Sequence, residues 1–445
     1  MSIAAQRHAI IWYGQEGRST VNYLLRQGVA PEACHIFDKN TALTDIPPHV
    51  GTTLWSSYLQ ELDHEQRDRI WLTPGLTKHM MQQQWVIWSA WLQAKITTQL
   101  DEFLSTFQGT LIAVSGSKWK STTASLIAQM CHDAWYDTKL LGNIGIPVLD
   151  LYDQHNQPAI IVYELSSFML EAAQQFTCTY GVLTTLTEVH TQEHGGHDIY
   201  LAAKLRLLDN AQDAYIGAQA REVLERRWDA ETYRHASIYG ETGAWRRADG
   251  YFYHHQEKIG TDEDMRLLGV HNRYNACVCF ALAERLAIPY TQVEKTLQAF
   301  HGLEHRLEYV GKYANKHWYD DSIATAPLPT QAAVETFGTR LGCLLFGGVE
   351  GAYDFTQLAQ MIDAYEIPYI VLFPDTGPRL QALLDDTKHT YLTTTSMEEA
   401  VRWAAMHAPD DSVVLLSSAS PSFSLWKNYK EKGKLYQTAV QALDA

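Results

Sequence analysis

Short apolar runs recur along this chain, most of them closed by a turn and followed by a stretch whose apolar positions fall three and four apart. The first are "HAIIWYG" (8–14), "CHIFDKN" (34–40) and "RIWLTPG" (69–75), with "RSTVNYLLRQG" (18–28) between the first two. Four to seven apolar residues with little polar alternation read as strands covered on both faces, and the 3.6-residue spacing between them reads as helix. The alternation continues through "LIAVS" (111–115), "AIIVYEL" (159–165), "YGVLTTLT" (180–187) and "AYIGA" (214–218), then gives way to a β-rich stretch, "ASIYGETGAWRRADGYFYHHQEKIG" (236–260). It resumes in "HWYDDS" (317–322), "CLLFGG" (343–348), "YIVLFP" (369–374), "TYLTTT" (390–395) and "SVVLLSS" (412–418). The pattern predicts an α/β protein of three domains, 1–97, 98–301 and 302–445, built on mostly parallel sheets.

Bulk composition narrows the function. The 445 residues carry a net charge of -16, which disfavours a nucleic-acid binder, because a phosphate backbone demands a broad basic face. No 18-residue apolar run is present, so no membrane span is expected, and the first residues lack the layout of a secretory signal. Six scattered cysteines without a CxxC pair fit a reduced, cytoplasmic protein. A small phosphorylated ligand needs only a local pocket and stays open.

Candidate chemistry gathers after the strands, where open α/β sheets hold their ligands. "GSKWKSTTASLIAQM" (116–130) has the strand, loop and helix order of a phosphate-cradling loop, with Lys120, Ser121 and Thr122 at a helix start. Trp119 stands where such loops normally have glycine. An ordinary capped helix would also account for the stretch. Glu164, at the end of an apolar strand, needs either a partner or a metal, or is tethered beside a helix capped by Ser166 or Ser167. Glu188, His190, Glu193 and His194 cluster in one loop, as metal or phosphate ligands or as a polar surface loop. Lys204, on the amphipathic stretch "IYLAAKLRLL", reads by itself as a solvated lysine, and Asn275 as a helix cap. Upstream, "WYGQEG" carries Gly14 and Gly17 but has Trp12 in the first glycine position of a dinucleotide fingerprint, a weak signature.

Taken in order, "GNIGIP" (142–147), "ELSSFMLE" (164–171), the His190 loop, "AAK" (202–204), "GVHNRYN" (269–275), "GLEHRLE" (302–308), "YDDSIAT" (319–325) and "SSASPSFSLWKNYKEKG" (417–433) resemble the Mur ligases, and most closely their glutamate-adding members. The resemblance implies an N-terminal Rossmann-like domain for the UDP substrate, a central P-loop-type ATPase domain and a C-terminal Rossmann-like domain for the amino acid. It implies ATP-dependent amide-bond formation through an acyl phosphate in peptidoglycan precursor synthesis, with UDP-N-acetylmuramoyl-L-alanine and glutamate as substrates and a monomer as the working form. Gly116, Ser117, Lys118, Lys120, Ser121 and Thr122 would cradle ATP, with Asn275, Arg306 and Asp321 contacting it. Ser121, Glu164, His190 and Lys204 would serve two Mg2+ ions, Lys204 as a carbamate; Lys120, Glu164, His190 and Lys204 form the implied catalytic set. Gly14, Gln15, Glu16, Asp38, Gly75 and Asn143 match the uridine-nucleotide site, and Thr325, Ser422, Phe423 and Tyr429 the amino-acid pocket. The chain departs from the family pattern at Trp119, at Val189 before the loop histidine, and at Ile323 and Gly351, both of which replace basic residues, so a related ligase for another acid and a nucleotide-sugar-binding homologue without turnover stay open.

Overall fold

The computed structural model describes residues 2–444 apart from 56, 63–65, 84–88, 145, 152–156, 188–190, 228–232, 234 and 352. Three sheets carry the fold. The first is wholly parallel, in the order β3 (Gly51–Leu54), β2 (Cys34–Asp38), β1 (His8–Ile11), β4 (Arg69–Leu72) and β5 (Ile96–Thr97). The apolar runs at 8, 34 and 69 became its three inner strands. The edge strands β3 and β5 escape the sequence pattern, since "GTTL" has no apolar run and "IT" is only two residues long.

The second sheet holds β6 (Thr110–Ser115), β7 (Thr138–Gly142), β8 (Ile160–Glu164), β9 (Cys178–Leu183) and β10 (Ala211–Gly217). It is completed by β11 (Ser237–Gly240), β12 (Trp245–Ala248), β13 (Tyr251–His254) and β14 (Glu257–Thr261). Its order is β14-β13-β12-β11-β10-β9-β6-β8-β7. Neighbours from β7 to β12 are parallel, and the β-rich stretch ends the sheet as an antiparallel meander, β12-β13-β14. The chain leaves β6 for β7 on one side and returns through β8 to β9 on the other. This reversal opens a crevice at the carboxyl end of β6, where ligands of such sheets sit.

The third sheet runs β15 (Glu308–Tyr313), β16 (Lys316–Asp320), β20 (Val413–Leu416), β17 (Leu341–Phe346), β18 (Tyr369–Leu372) and β19 (Thr390–Thr393), with β15 as an antiparallel edge. By compactness the chain forms two units. Met1–Glu263 with Arg273–Leu297 holds the first two sheets, and Asp264–Asn272 with Gln298–Ala445 holds the third. One continuous core joins the first two sheets, with Ile10, Leu24 and Trp71 packed in the same cluster as Leu111, Ile161 and Leu201. That shared burial is why these two sheets fall in one compact unit.

Candidate functional site

The turn after β6 is held by backbone geometry. Gly116 sits at φ +146°, and a Cβ there would stand 2.0 Å from the Thr184 hydroxyl oxygen, so only glycine fits. Thr184 and Thr185 donate to the Lys118 carbonyl at 2.7 and 3.2 Å, and the Lys118 amide donates to the Thr185 hydroxyl at 3.1 Å. Trp119 precedes the helix Lys120–Asp133 in the left-handed conformation, φ 62°. The expected glycine geometry is therefore present, with an indole on it. Trp119 does not line the cavity described below. Lys120 Nζ donates to the Ser117 carbonyl at 3.3 Å, Ser121 is half-buried, and Thr122 is buried with its hydroxyl unpartnered.

Two buried titratable groups, an acid and a base, lie beside this turn. Glu164 closes β8 with one carboxylate oxygen accepting from Asn143 Nδ2 at 3.2 Å; the other, Oε2, is buried without a partner. Lys204 is 2% exposed, on the helix His197–Asp209, and donates to Ser115 Oγ at 3.0 Å. Burial holds its ammonium well below the usual lysine range, the Lys120 charge adds to this, and Glu164 opposes it. The solvated-lysine reading of Lys204 is thus corrected: tertiary packing turns that helix face inward.

A cavity of about 250 Å³ lies here, lined by Gly75, Gly116, Ser117, Lys120, Asn143 and Lys204, together with Pro74, Ser166, Ser167, Phe168 and Tyr200. Residues assigned separately to ATP and to the nucleotide sugar therefore share one wall. Its size suits phosphoryl and carboxylate groups better than a whole nucleotide. Glu164, with one buried carboxylate oxygen left unpartnered, is a hard oxygen donor of the kind Mg2+ takes and suits that ion. Glu188, Val189 and His190 lie outside the described residues.

The remaining assigned residues are dispersed. Asp38 accepts from the backbone amides of Tyr13 (2.6 Å) and Asn40 (2.9 Å), bracing the turn that carries exposed Gly14 and Gln15. Glu16 turns toward Tyr163 and Gln99 instead, where burial raises its carboxyl to about 7. Asn275 is buried with Nδ2 unpartnered. In the second unit Asp321 accepts from Ser417 Oγ at 2.8 Å and the Leu307 amide at 3.2 Å, and burial raises its carboxyl to about 7, against the pull of Ser417 and Arg306. Thr325 follows β16, while Ser422, Phe423 and Tyr429 follow β20, the adjacent parallel strand. Ser422 is buried and Phe423 is 71% exposed. Gly351, after β17, has its carbonyl engaged by Arg379 at 2.8 Å. Among the described residues, His305, Glu308 and Asp320 come close enough to hold a metal. They are satisfied by one another and by Gln437, which donates to both carboxylates.

Sequence reasoning missed Pro74, Phe168 and Tyr200 on the cavity wall and read Ser167 only as a cap. Ser166 is the actual cap, accepting from the Met169 amide at 3.1 Å. A signal for Tyr200 existed: it precedes Lys204 by four residues, one helical turn on the same face. His194 is likewise no surface residue, being 1% exposed.

Residues 114–283 match the Mur ligase middle domain. The chain is 30% identical to the UDP-N-acetylmuramoylalanine--D-glutamate ligase of Hahella chejuensis and 29% identical to that of Pseudomonas aeruginosa, covering all of both chains in each case. Among solved structures, UDP-N-acetylmuramate-alanine ligase MurC from Thermotoga maritima shares the fold, with a TM-score of 0.61 at 14% identity over 98% of this chain and 99% of that one.

Proposed function

The chain belongs to the Mur ligase family, and we propose that it joins glutamate to UDP-N-acetylmuramoyl-L-alanine at the expense of ATP, in peptidoglycan precursor synthesis. The observation that carries this reading is the cavity holding Lys120, Lys204 and Asn143, the last bonded to the buried Glu164, at the carboxyl end of β6. ATP transfers its terminal phosphoryl group to the alanyl carboxylate, giving an acyl phosphate and ADP. The glutamate amine attacks the acyl carbon, loses a proton, and phosphate leaves as the amide forms. The work asked of the protein is charge neutralisation and positioning.

Lys120 lies at a helix start, and its ammonium together with the backbone amides of 116–120 meets the phosphate oxygens. Mg2+, when bound, neutralises the charge on those oxygens; Ser121, Glu164 and His190 are the residues that would hold it. Lys204, whose burial favours the neutral amine, is suited to take up carbon dioxide as a carbamate and so present an anion beside Glu164. Asn275 adds an ATP contact in the first unit, and Arg306 and Asp321 match ATP-contacting positions of the family pattern. The uridine-nucleotide site is formed by Gly14, Gln15, Glu16 and Asp38 with Gly75 and Asn143. Three functional domains, 1–97, 98–301 and 302–445, follow the three sheets. No helix among the described residues is long and apolar enough to cross a membrane, and all six cysteines are buried and unpaired. We place the enzyme in the cytoplasm as a monomer.

A second reading, a Mur-type ligase for another acid, is favoured by one observation: Ile323 and Gly351 leave the amino-acid pocket without the basic residues of the family pattern. One experiment decides. Phosphate release and product mass are measured with ATP, Mg2+ and UDP-N-acetylmuramoyl-L-alanine, adding D-glutamate, L-glutamate or other amino acids separately. Release that requires both the nucleotide sugar and D-glutamate establishes the first reading. Release only with another acid establishes the second, and no release with any acid rejects both.

A further inference from the structure

Ser167 stands on the cavity wall as the first residue of the helix Ser167–Ala172, directly after β8. Its hydroxyl lies 2.9 Å from His194 Nε2, and His194 Nδ1 lies 2.5 Å from Glu171 Oε2. The imidazole is fixed from both sides, stacked on Phe168 at 4.9 Å between centroids and edge-on to Tyr200 at 5.6 Å. The second oxygen of Glu171 accepts from the Lys78 amide at 3.0 Å, four residues beyond Pro74 and three beyond Gly75, which line the same cavity. Neither capping nor the proposed roles of the lysines uses this chain of bonds.

We propose that Ser167 contacts the bound reactants and that His194, held by Glu171, is its positioning residue, the three forming a relay that ties the cavity wall to loop 74–78.

The direction of the relay follows from donor and acceptor inventory. A carboxylate only accepts, so Nδ1 carries the proton shared with Glu171. With one ring proton, on Nδ1, Nε2 has a lone pair and takes the Ser167 hydrogen. Ser167 therefore presents oxygen lone pairs, an acceptor, to the cavity. Lys120 already supplies a donor for anionic oxygens on the same wall. An acceptor serves an N–H group instead: the attacking amine of the amino acid, or the amide of the alanyl substrate. The inference rests on the ligase reading for the identity of these groups, while the direction of the relay rests on the bonds above and on a singly protonated ring.

Glu171→Gln tests the direction with minimal change of shape. The Gln oxygen must keep accepting from the Lys78 amide, which turns the NH2 group toward His194 Nδ1. The ring proton then moves to Nε2 and donates to Ser167, whose hydrogen swings into the cavity, so acceptor becomes donor. Wild type and E171Q are labelled with 15N-histidine, with His194→Gln as the assignment control, and kcat and KM are measured for both and for Ser167→Ala. The expected result is an Nδ1-protonated His194 in wild type, an Nε2-protonated one in E171Q, and kcat lowered about tenfold or more in E171Q and S167A with KM for ATP within about twofold. Thermal melts confirm that the variants remain folded. A wild-type ring protonated on Nε2 overturns the relay whether or not the enzyme ligates. So does a folded E171Q or S167A with wild-type kcat. Absence of ligation by wild type with an Nδ1-protonated ring overturns the ligase reading and leaves the relay supported.

Discussion

The proposed phosphate role of the turn after β6 is tested at single residues. Trp119 keeps the left-handed backbone of the glycine it replaces, which costs a side-chain-bearing residue about 1–3 kcal/mol. Trp119→Gly is expected to lower KM for ATP several-fold, while Trp119→Ala, which removes the indole but retains the backbone strain, keeps the wild-type KM. Steady-state kinetics on the two variants check this, and equal effects would assign the penalty to the indole itself. If Lys204 is carbamylated as proposed, Lys204→Ala should abolish activity, with partial recovery in short-chain carboxylic acids that fill the carbamate's position; full activity would return Lys204 to a packing role. Lys432 is the residue-scale probe of the second unit. It is completely buried, donates to the Gly347 carbonyl at 3.1 Å and to Ser418, and burial pushes its pKa down to about 7 from 10.5, with Asp320 opposing. Between those values the unfolded chain holds a proton that the folded chain lacks, so this lysine makes stability rise with pH from about 7 and adds no slope below it. Lys432→Met should flatten the rise of Tm between pH 7.5 and about 10, read by melts across that range.

Among the elements, strands with apolar runs were legible from their residues alone, because a strand covered on both faces needs no partner to be recognised. "AIIVYEL" and "CLLFGG" became β8 and β17 in this way. Missed strands carried weaker local signals: β15, "EYVGKY", is half-exposed and pairs antiparallel at a sheet edge. At this scale the test falls on how the helix Tyr429–Gln441, which carries Lys432, begins. Asn428 caps it by accepting from the Glu431 amide at 3.0 Å. Asn428→Ala should destabilise the protein by about 1 kcal/mol, measured by denaturant midpoint, with Asn428→Asp close to wild type.

At the scale of the whole molecule, each compact unit has its own cores, centred on residues such as Ile10 and Leu183 in one and Leu344 and Val371 in the other. Calorimetry should therefore resolve two transitions. UDP-N-acetylmuramoyl-L-alanine at 100 times its Kd should raise one of them by about 2.7 kcal/mol and leave the other in place; a single transition, or a shift of both, counts against independent units. The sequence by itself determined the α/β class, the strands rich in apolar residues, the turn and helix start after β6 with its tryptophan, and the family, because each depends on residues close in the chain. Tertiary structure alone decided that Lys204 is buried rather than solvated, that Gly75 and Lys120 share one cavity, and that His194 meets Ser167 and Glu171 across 27 and 23 positions. These facts depend on which helix face is turned inward and which strand ends lie side by side. Local periodicity does not encode that choice; it arises from the burial free energy of the whole core.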